Sequence, residues 1–264
     1  MAIIGGIFLI VSVVLFFVRL SKLKQLACIR SARLATASDI HQVASAVAQD
    51  IGSGSWQDYV KVYGKIVCDQ PIHSQVKKVA CVYYKTKVTR EYEEIVTRKD
   101  DQGRTIKKTE RQSEVVSQTT LSTPFWLADA TGKIKIHPED ANIETIEILS
   151  EFRPETQRSS RISFGGFSLT TNTHHNARGR TLGYRYKESI LPVDREALII
   201  GMANDMTSLV TIRKPSENKQ QFIIALKTEG ELVKNVSGHV QQVFYAMLGC
   251  LGVGTALLAV DLFS

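Results

Sequence analysis

The residues with reactive or metal-binding side chains are scattered along this sequence. Four cysteines, Cys28, Cys68, Cys81 and Cys250, are widely separated and form no pairwise motif. Their spacing predicts buried, reduced thiols in place of a disulfide framework. His174-His175 is the nearest approach to a metal cluster, and adjacent histidines on a polar stretch read as solvent-facing. His137-Pro138-Glu139-Asp140 reads as a strand-ending turn capped by acids. Glu93-Glu94 and Asp100-Asp101 are consecutive acids on a charged hairpin. Neighbouring strand residues point to opposite faces, so such pairs do not converge as an acid–base couple. No serine stands in a Gly-x-Ser-x-Gly elbow. Asn235-Val236-Ser237 has sequon form, which is idle on a cytoplasmic side. These observations predict no catalytic residue, no metal and no cofactor.

The elements around these residues are set first by the two ends. Hydrophobic residues make up 44% of the chain and charged residues 22%, which resembles an ordinary soluble protein. The apolar residues are nevertheless concentrated at the termini. Ala2 to Val18 carries no charge. At about 1.5 Å per residue it spans about 26 Å, close to a hydrocarbon core of about 30 Å. Its cations follow it, at Arg19, Lys22, Lys24, Arg30 and Arg33, with none preceding, so a cleaved signal peptide is disfavoured. The same asymmetry places residue 19 onward in the cytoplasm and both termini outside. Those five cations are the candidate contacts with the membrane surface. Val243 to Val260 forms the second span; its Gly249, Gly252, Gly254 and Ala256 suit close packing against Gly5 and Gly6 of the first, or self-association through the helices. The glycine cluster lies inside an apolar span with no strand before it, which argues against a phosphate loop.

Between the spans, Ile40, Val43, Ala44, Val47 and Ile51 keep helical spacing, with Ser38 or Thr36 available as cap, and Gly52-Ser53-Gly54-Ser55 ends the helix. From Trp56 the pattern turns to strands. Val60, Val62, Gly64, Ile66 and Cys68 keep an even register, and Val79 to Val88 is rich in Val, Tyr and Thr. Glu91–Val96 and Glu114–Thr120 flank a turn at Asp100 to Gly103. Phe125–Ala128 and Lys133–His137 form a second hairpin about Asp129 to Gly132, and later strands fall at Ala197–Met202, Leu209–Arg213 and Gln221–Leu226. Residues 153–180 read as a long mobile loop. The fold class is mainly β (α+β), a small, partly open barrel-like domain between two transmembrane helices. The expected divisions are a transmembrane helix over 1–20, a juxtamembrane helical linker over 21–54, the β-rich domain over 55–235 and a second transmembrane helix over 242–261.

Several blocks in this order resemble the GIDE or beside-a-membrane (BAM) domain, found in MULAN-type membrane E3 ubiquitin ligases and bacterial relatives. They are Val62–Val67, Pro71–Ser74, Cys81–Tyr84, Thr123–Asp129 with Gly132, Tyr186–Pro192, Ala197–Gly201 and Phe222–Ile224, followed by the second helix. The resemblance implies a membrane E3 ubiquitin ligase. The zinc-binding RING of those ligases follows their second helix, whereas this sequence ends at Ser264. A RING needs two tetrahedral zinc sites in Cys-x-x-Cys spacing, which four scattered cysteines do not supply. The expectation is therefore a non-catalytic adaptor or scaffold in a bilayer, plasma or organellar, that binds a protein partner.

Two further readings concern binding. Phe125 to Ile136 also resembles a hairpin of nucleic-acid-binding OB barrels, with Tyr83, Tyr84, Tyr92 and Trp126 as stacking rings beside Lys85 and Lys87. Core packing of those rings is the favoured alternative, so nucleic acid is not the expected partner. Arg153, Arg158, Arg161, Arg178 and Arg180, against Glu155 alone, make the 153–180 excursion a second candidate for protein contact.

Overall fold

The computed structural model describes residues 2–99, 104–155, 161–164, 167–170, 179–206, 209–217 and 220–263. Among these residues three helices, α1 (Ala2–Ser31), α2 (Ala37–Ile51) and α3 (Glu229–Phe263), accompany fifteen strands. In chain order these are β1 (Arg33–Leu34), β2 (Gln57–Val67), β3 (Ile72–His73), β4 (Ala80–Lys99), β5 (Thr105–Ser122), β6 (Phe125–Ala128), β7 (Lys133–Ile136) and β8 (Asn142–Ile143). They continue with β9 (Ile146–Pro154), β10 (Arg161–Phe164), β11 (Phe167–Thr170), β12 (Arg180–Pro192), β13 (Glu196–Asn204), β14 (Thr211–Arg213) and β15 (Ile223–Ala225). The chain divides into two compact units, Met1–Lys65 with Trp126–Ile143 and Glu196–Ser264, and Ile66–Phe125 with Glu144–Arg195.

In the first unit β2, β6, β7, β14 and β13 pair in sequence, and β13 pairs back onto β2, closing a five-strand barrel. The even register on β2 faces inward: Val60 and Val62 are buried, as are Leu127, Ile134, Ile136, Ile199 and Ile212. Gly64 belongs to this row because a Cβ there would stand 2.6 Å from the Ala128 carbonyl oxygen on β6. No side chain fits so close an approach of two backbones.

The outer face of β13 and the first half of that of β2 are buried as well. Tyr59, Leu198 and Ile200 pack against Ile29 and Ala32 at the end of α1 and against Val236 of α3. This second covering explains why Ala197-Leu198-Ile199-Ile200 is apolar at every position, where a barrel strand facing water would alternate. α1 therefore continues beyond the expected membrane segment to Ser31, and α3 begins at Glu229, well before it. The additional turns of both helices are seated on the barrel wall.

The helix expected after the first span is α2. Thr36 is its N-cap and, with Asp39, forms a capping box. Hydrogen bonds from Thr36 hold the Asp39 carboxyl below its usual range. Ala37, Ile40 and Ala44 form its buried face.

The second unit is a half-barrel built on β4. This strand pairs antiparallel with β12 on one side and with β5 and β3 on the other, and β12 pairs onward with β9. β4 and β5 are the long hairpin expected around 100–103, residues that lie outside those described. Within the stretch expected to be a mobile loop, β10 and β11 pair as a short antiparallel hairpin. Residues 156–160, 165–166 and 171–178 lie outside the described residues, and with them His174, His175, Arg158 and Arg178.

Candidate functional site

The two terminal helices lie against each other. Cβ atoms built on Gly5 and Gly254 would each come within about 3.2 Å of the opposite glycine's carbonyl oxygen, so the two backbones meet at this pair. The Ser12 hydroxyl donates to the Met247 carbonyl at 3.3 Å across the same seam. Gly6, Gly249 and Gly252 have nothing within 4 Å, so only one glycine from each expected group takes part. Large apolar side chains surround the pair on its outside, including Ile3, Ile7, Ile10, Phe17, Leu248, Leu251 and Val260, all exposed. Both helices are long and apolar enough to cross a membrane.

Below the helix pair, Lys61 of β2 is almost buried and joins the helices to the barrel. Its ammonium pairs with Glu229 in the first turn of α3 at 2.5 Å and lies 3.5 Å from the Ile29 carbonyl near the end of α1. A cation at a helix C-terminus and an anion at a helix N-terminus both match the helix dipoles. On the same wall the Tyr59 hydroxyl donates to the Gln221 carbonyl at 2.7 Å, and burial pushes this phenol up to about 12.

The five candidate membrane-surface cations occupy different settings. Arg19 lies within the helix pair, its guanidinium 4.6 Å from the Phe244 ring centroid. Lys22 donates to Gln25 at 3.3 Å, and Lys24 and Arg30 are exposed on α1. Arg33 is paired with Asp58 at 2.6 Å, so its charge is balanced on the barrel itself.

Asp129 fixes the β6–β7 turn to α2. Its carboxylate accepts from the backbone N–H groups of Thr131 and Gly132 on one oxygen and from Ala37 at 2.7 Å on the other. Burial acts to raise this carboxyl, but the hydrogen bonds from Thr131, Ala37 and Gly132 outweigh it and hold the group below its usual range.

Beyond that turn, the outward side chains of β6, β7 and β14 form a mixed basic and aromatic face. The ammonium groups of Lys133 and Lys135 lie over the Trp126 ring, 4.8 and 5.5 Å from its centroid. Lys135 is paired in register with Thr211. A shallow pocket of about 320 Å³ adjoins them, lined by His137, Glu139, Asp140, Arg213 and Lys214. Lys214 pairs with Asp140 at 3.2 Å. Burial lowers the His137 imidazole, which leaves it neutral near pH 7 and unsuited to a charged pair with Glu139, 4.0 Å away.

In the second unit a carboxylate that the sequence reading passed over is wholly buried. Glu188 accepts from the Val76 N–H at 2.7 Å and the Thr86 hydroxyl at 3.0 Å on one oxygen. Its other oxygen accepts from the Lys77 N–H at 2.9 Å and the Ser74 hydroxyl at 3.1 Å. Four donors around one carboxylate describe a structural pin for the 74–77 turn, with no face open to a substrate. The polar Tyr-Lys-Glu-Ser setting of Glu188 resembles an ordinary strand, so only the tertiary partners reveal this role.

The stacking rings proposed for nucleic acid do not form a platform. Tyr84 and Tyr92 are buried, Tyr84 and Ile190 packing with Cys81, and the Arg90 guanidinium covers Tyr92 at 4.6 Å. Tyr83, Lys85 and Lys87 lie on β4, in the other unit from Trp126. Cys28 and Cys81 are buried cysteines outside any disulfide, and burial pushes the Cys81 thiol up to about 11. Among the described residues no three His, Cys, Asp or Glu side chains converge as a metal site would require. Glu93 pairs with Arg111, in keeping with a charged hairpin.

A closed barrel, a half-barrel and a paired set of apolar terminal helices define a β-rich domain flanked by two helices of membrane-spanning length. The chain belongs to the GIDE family, whose model, described as E3 ubiquitin ligase, matches residues 93–259. No curated protein and no solved structure matches it. The resembling blocks before residue 93 lie outside that match, yet the structure joins them to blocks within it. Val62 is in register with Ile199, Gly64 passes against Ala128, and Ser74 donates to Glu188.

Proposed function

We propose that this chain is a membrane-held adaptor of the E3 ubiquitin ligase-like family, which binds a protein partner without catalysis of its own. The observation that carries the membrane reading is the pairing of α1 and α3 through Gly5 and Gly254, with exposed apolar side chains around the pair. Such a surface is unfavourable in water and suited to lipid. The cations that follow the first span favour a cytoplasmic domain with both termini outside. The family supports the ligase-like label, and the reading without catalysis is argued from the polar groups found in the two units. Lys61, Asp129 and Glu188 are each occupied in holding the fold, and none is set beside a cavity as an acid, base or nucleophile.

Proximity labelling of the intact protein in its native membrane tests the adaptor reading, which requires a reproducible protein partner; enrichment of nucleic acid in its place contradicts it. Topology is tested separately by replacing Arg19, Lys22, Lys24, Arg30 and Arg33 with Gln. The protein should remain in the membrane fraction and insert in mixed orientation, because a juxtamembrane cation gains about 1 kcal/mol near an anionic leaflet and adds little to retention, with Arg33, paired to Asp58, contributing least. Unchanged orientation contradicts the cytoplasmic assignment.

A further inference from the structure

We propose that the outer face of β6, β7 and β14, built from Trp126, Lys133, Lys135 and Arg213, docks an acidic, extended segment of the partner protein. The proposal rests on the adaptor reading and names the chemistry its partner presents. In the closed ring, β7 lies across from β2 and β13, whose outer faces carry the helix ends. The face is therefore turned away from the part of the first unit that α1 and α3 occupy, while α2 meets β7 at its Lys133 end, where the His41 Nε2 lies 3.1 Å from the Lys133 carbonyl oxygen. Lys133 is exposed and Lys135 partly so. They project from the same side of one strand, two residues and about 6.6 Å apart, which is also the spacing of alternate side chains on an extended peptide. Two acids at such positions meet both ammonium groups together. Trp126 restricts the lysine side chains by holding both ammonium groups over its ring, so less conformational freedom is lost when an anion binds.

The same geometry argues against a nucleic-acid strand. The Trp126 ring is already engaged by the two lysines, so it is a poor surface for a base, and Tyr84 and Tyr92 are buried in the other unit. Glu139 and Asp140 also interrupt the basic track beside Arg213 and Lys214. A continuous phosphate backbone meets repulsion there, whereas a peptide with spaced acids can place a neutral or basic residue at that end.

The test uses the full chain in phosphatidylcholine nanodiscs and two fluorescent probes, a twelve-residue Glu-Ser repeat peptide and a twelve-nucleotide oligo-dT. The peptide should bind with strong salt dependence and more tightly than the oligonucleotide. The variant K133E/K135E should weaken peptide binding by about tenfold, while K107E/K108E, with the same charge change on exposed positions of β5, should alter it by under about twofold. Equal binding by the K133E/K135E variant and the unaltered protein, equal losses in both variants, or tighter binding of the oligonucleotide would each overturn the proposal. Thermal unfolding of both variants confirms that they are folded. Proximity labelling then separates this inference from the reading beneath it. Loss of the partner in K133E/K135E supports the docking face. Retention of the partner overturns that face and leaves the adaptor reading standing. Absence of any reproducible protein partner for the unaltered chain overturns both.

Discussion

Replacing Glu188 by Gln preserves the side chain's shape and turns one of its two acceptor oxygens into a donor. Each oxygen of Glu188 receives one backbone N–H and one hydroxyl, from Val76 and Thr86 or from Lys77 and Ser74. Whichever oxygen becomes the amide, the hydroxyl opposite can rotate and accept from it. The backbone N–H cannot, and is left facing another donor in a site with no solvent exposure. An unsatisfied buried donor costs about 1–3 kcal/mol, and the remaining hydrogen bonds lose the strength that charge gave them, for a total of about 2–4 kcal/mol. That is a large fraction of a domain's net stability of about 5–15 kcal/mol, and for a unit of this size corresponds to a fall in midpoint of roughly 10–20 °C. Thermal unfolding of the full chain in nanodiscs measures the total. Hydrogen exchange localises it, since the amides of Val76 and Lys77 should lose protection before those at the centre of β4. Glu188→Leu removes all four acceptor interactions and should be more damaging still. If Glu188→Gln leaves both the midpoint and the protection of residues 76 and 77 unchanged, the carboxylate does not pin the turn.

Three further outcomes test other parts of the structure. A double-mutant cycle of Lys61→Met and Glu229→Gln should give a coupling of about 1–2 kcal/mol in thermal unfolding, since one partner is nearly buried and the other partly exposed; a coupling near zero means that this pair does not secure α3 to the barrel. Gly254→Leu should sharply reduce disulfide trapping between Ser12→Cys and Met247→Cys, while Gly249→Leu, which faces open space, should leave it unchanged. Because the folded Asp129 carboxyl is lowered, its contribution is fully present above the unfolded value of about 3.9 and is lost as pH falls through the lower folded value. Amide protection at the start of α2 should thus be constant from about pH 8 to 5 and decline below about pH 4, and Asp129→Ala should reduce that decline to the share carried by the capping carboxylate of Asp39, which is lowered as well.

What the sequence determined by itself is what local patterning controls. The uncharged terminal runs, the helical spacing of residues 40–51 and the even register of β2 each follow from the period at which apolar side chains recur, and each is present in the structure, which also chose Thr36 over Ser38 as the cap. The mainly β class and the family resemblance followed from the same short-range signals and their order. Tertiary structure decided how those pieces are used. A strand's alternation shows that one face is buried, but it does not show that helix ends cover the other, as they do on β2 and β13. Likewise Gly5 and Gly249 look equivalent as small residues in apolar helices, and only the seam between α1 and α3 distinguishes them. Lys61 and Glu188 show the limit most clearly. A lysine and a glutamate on these strands carry no local mark of an ion pair 168 residues away or of a turn held from 112 residues away. Partners so distant in sequence meet only when the barrel closes and the sheet curls, and that is where the chemistry of this protein is set.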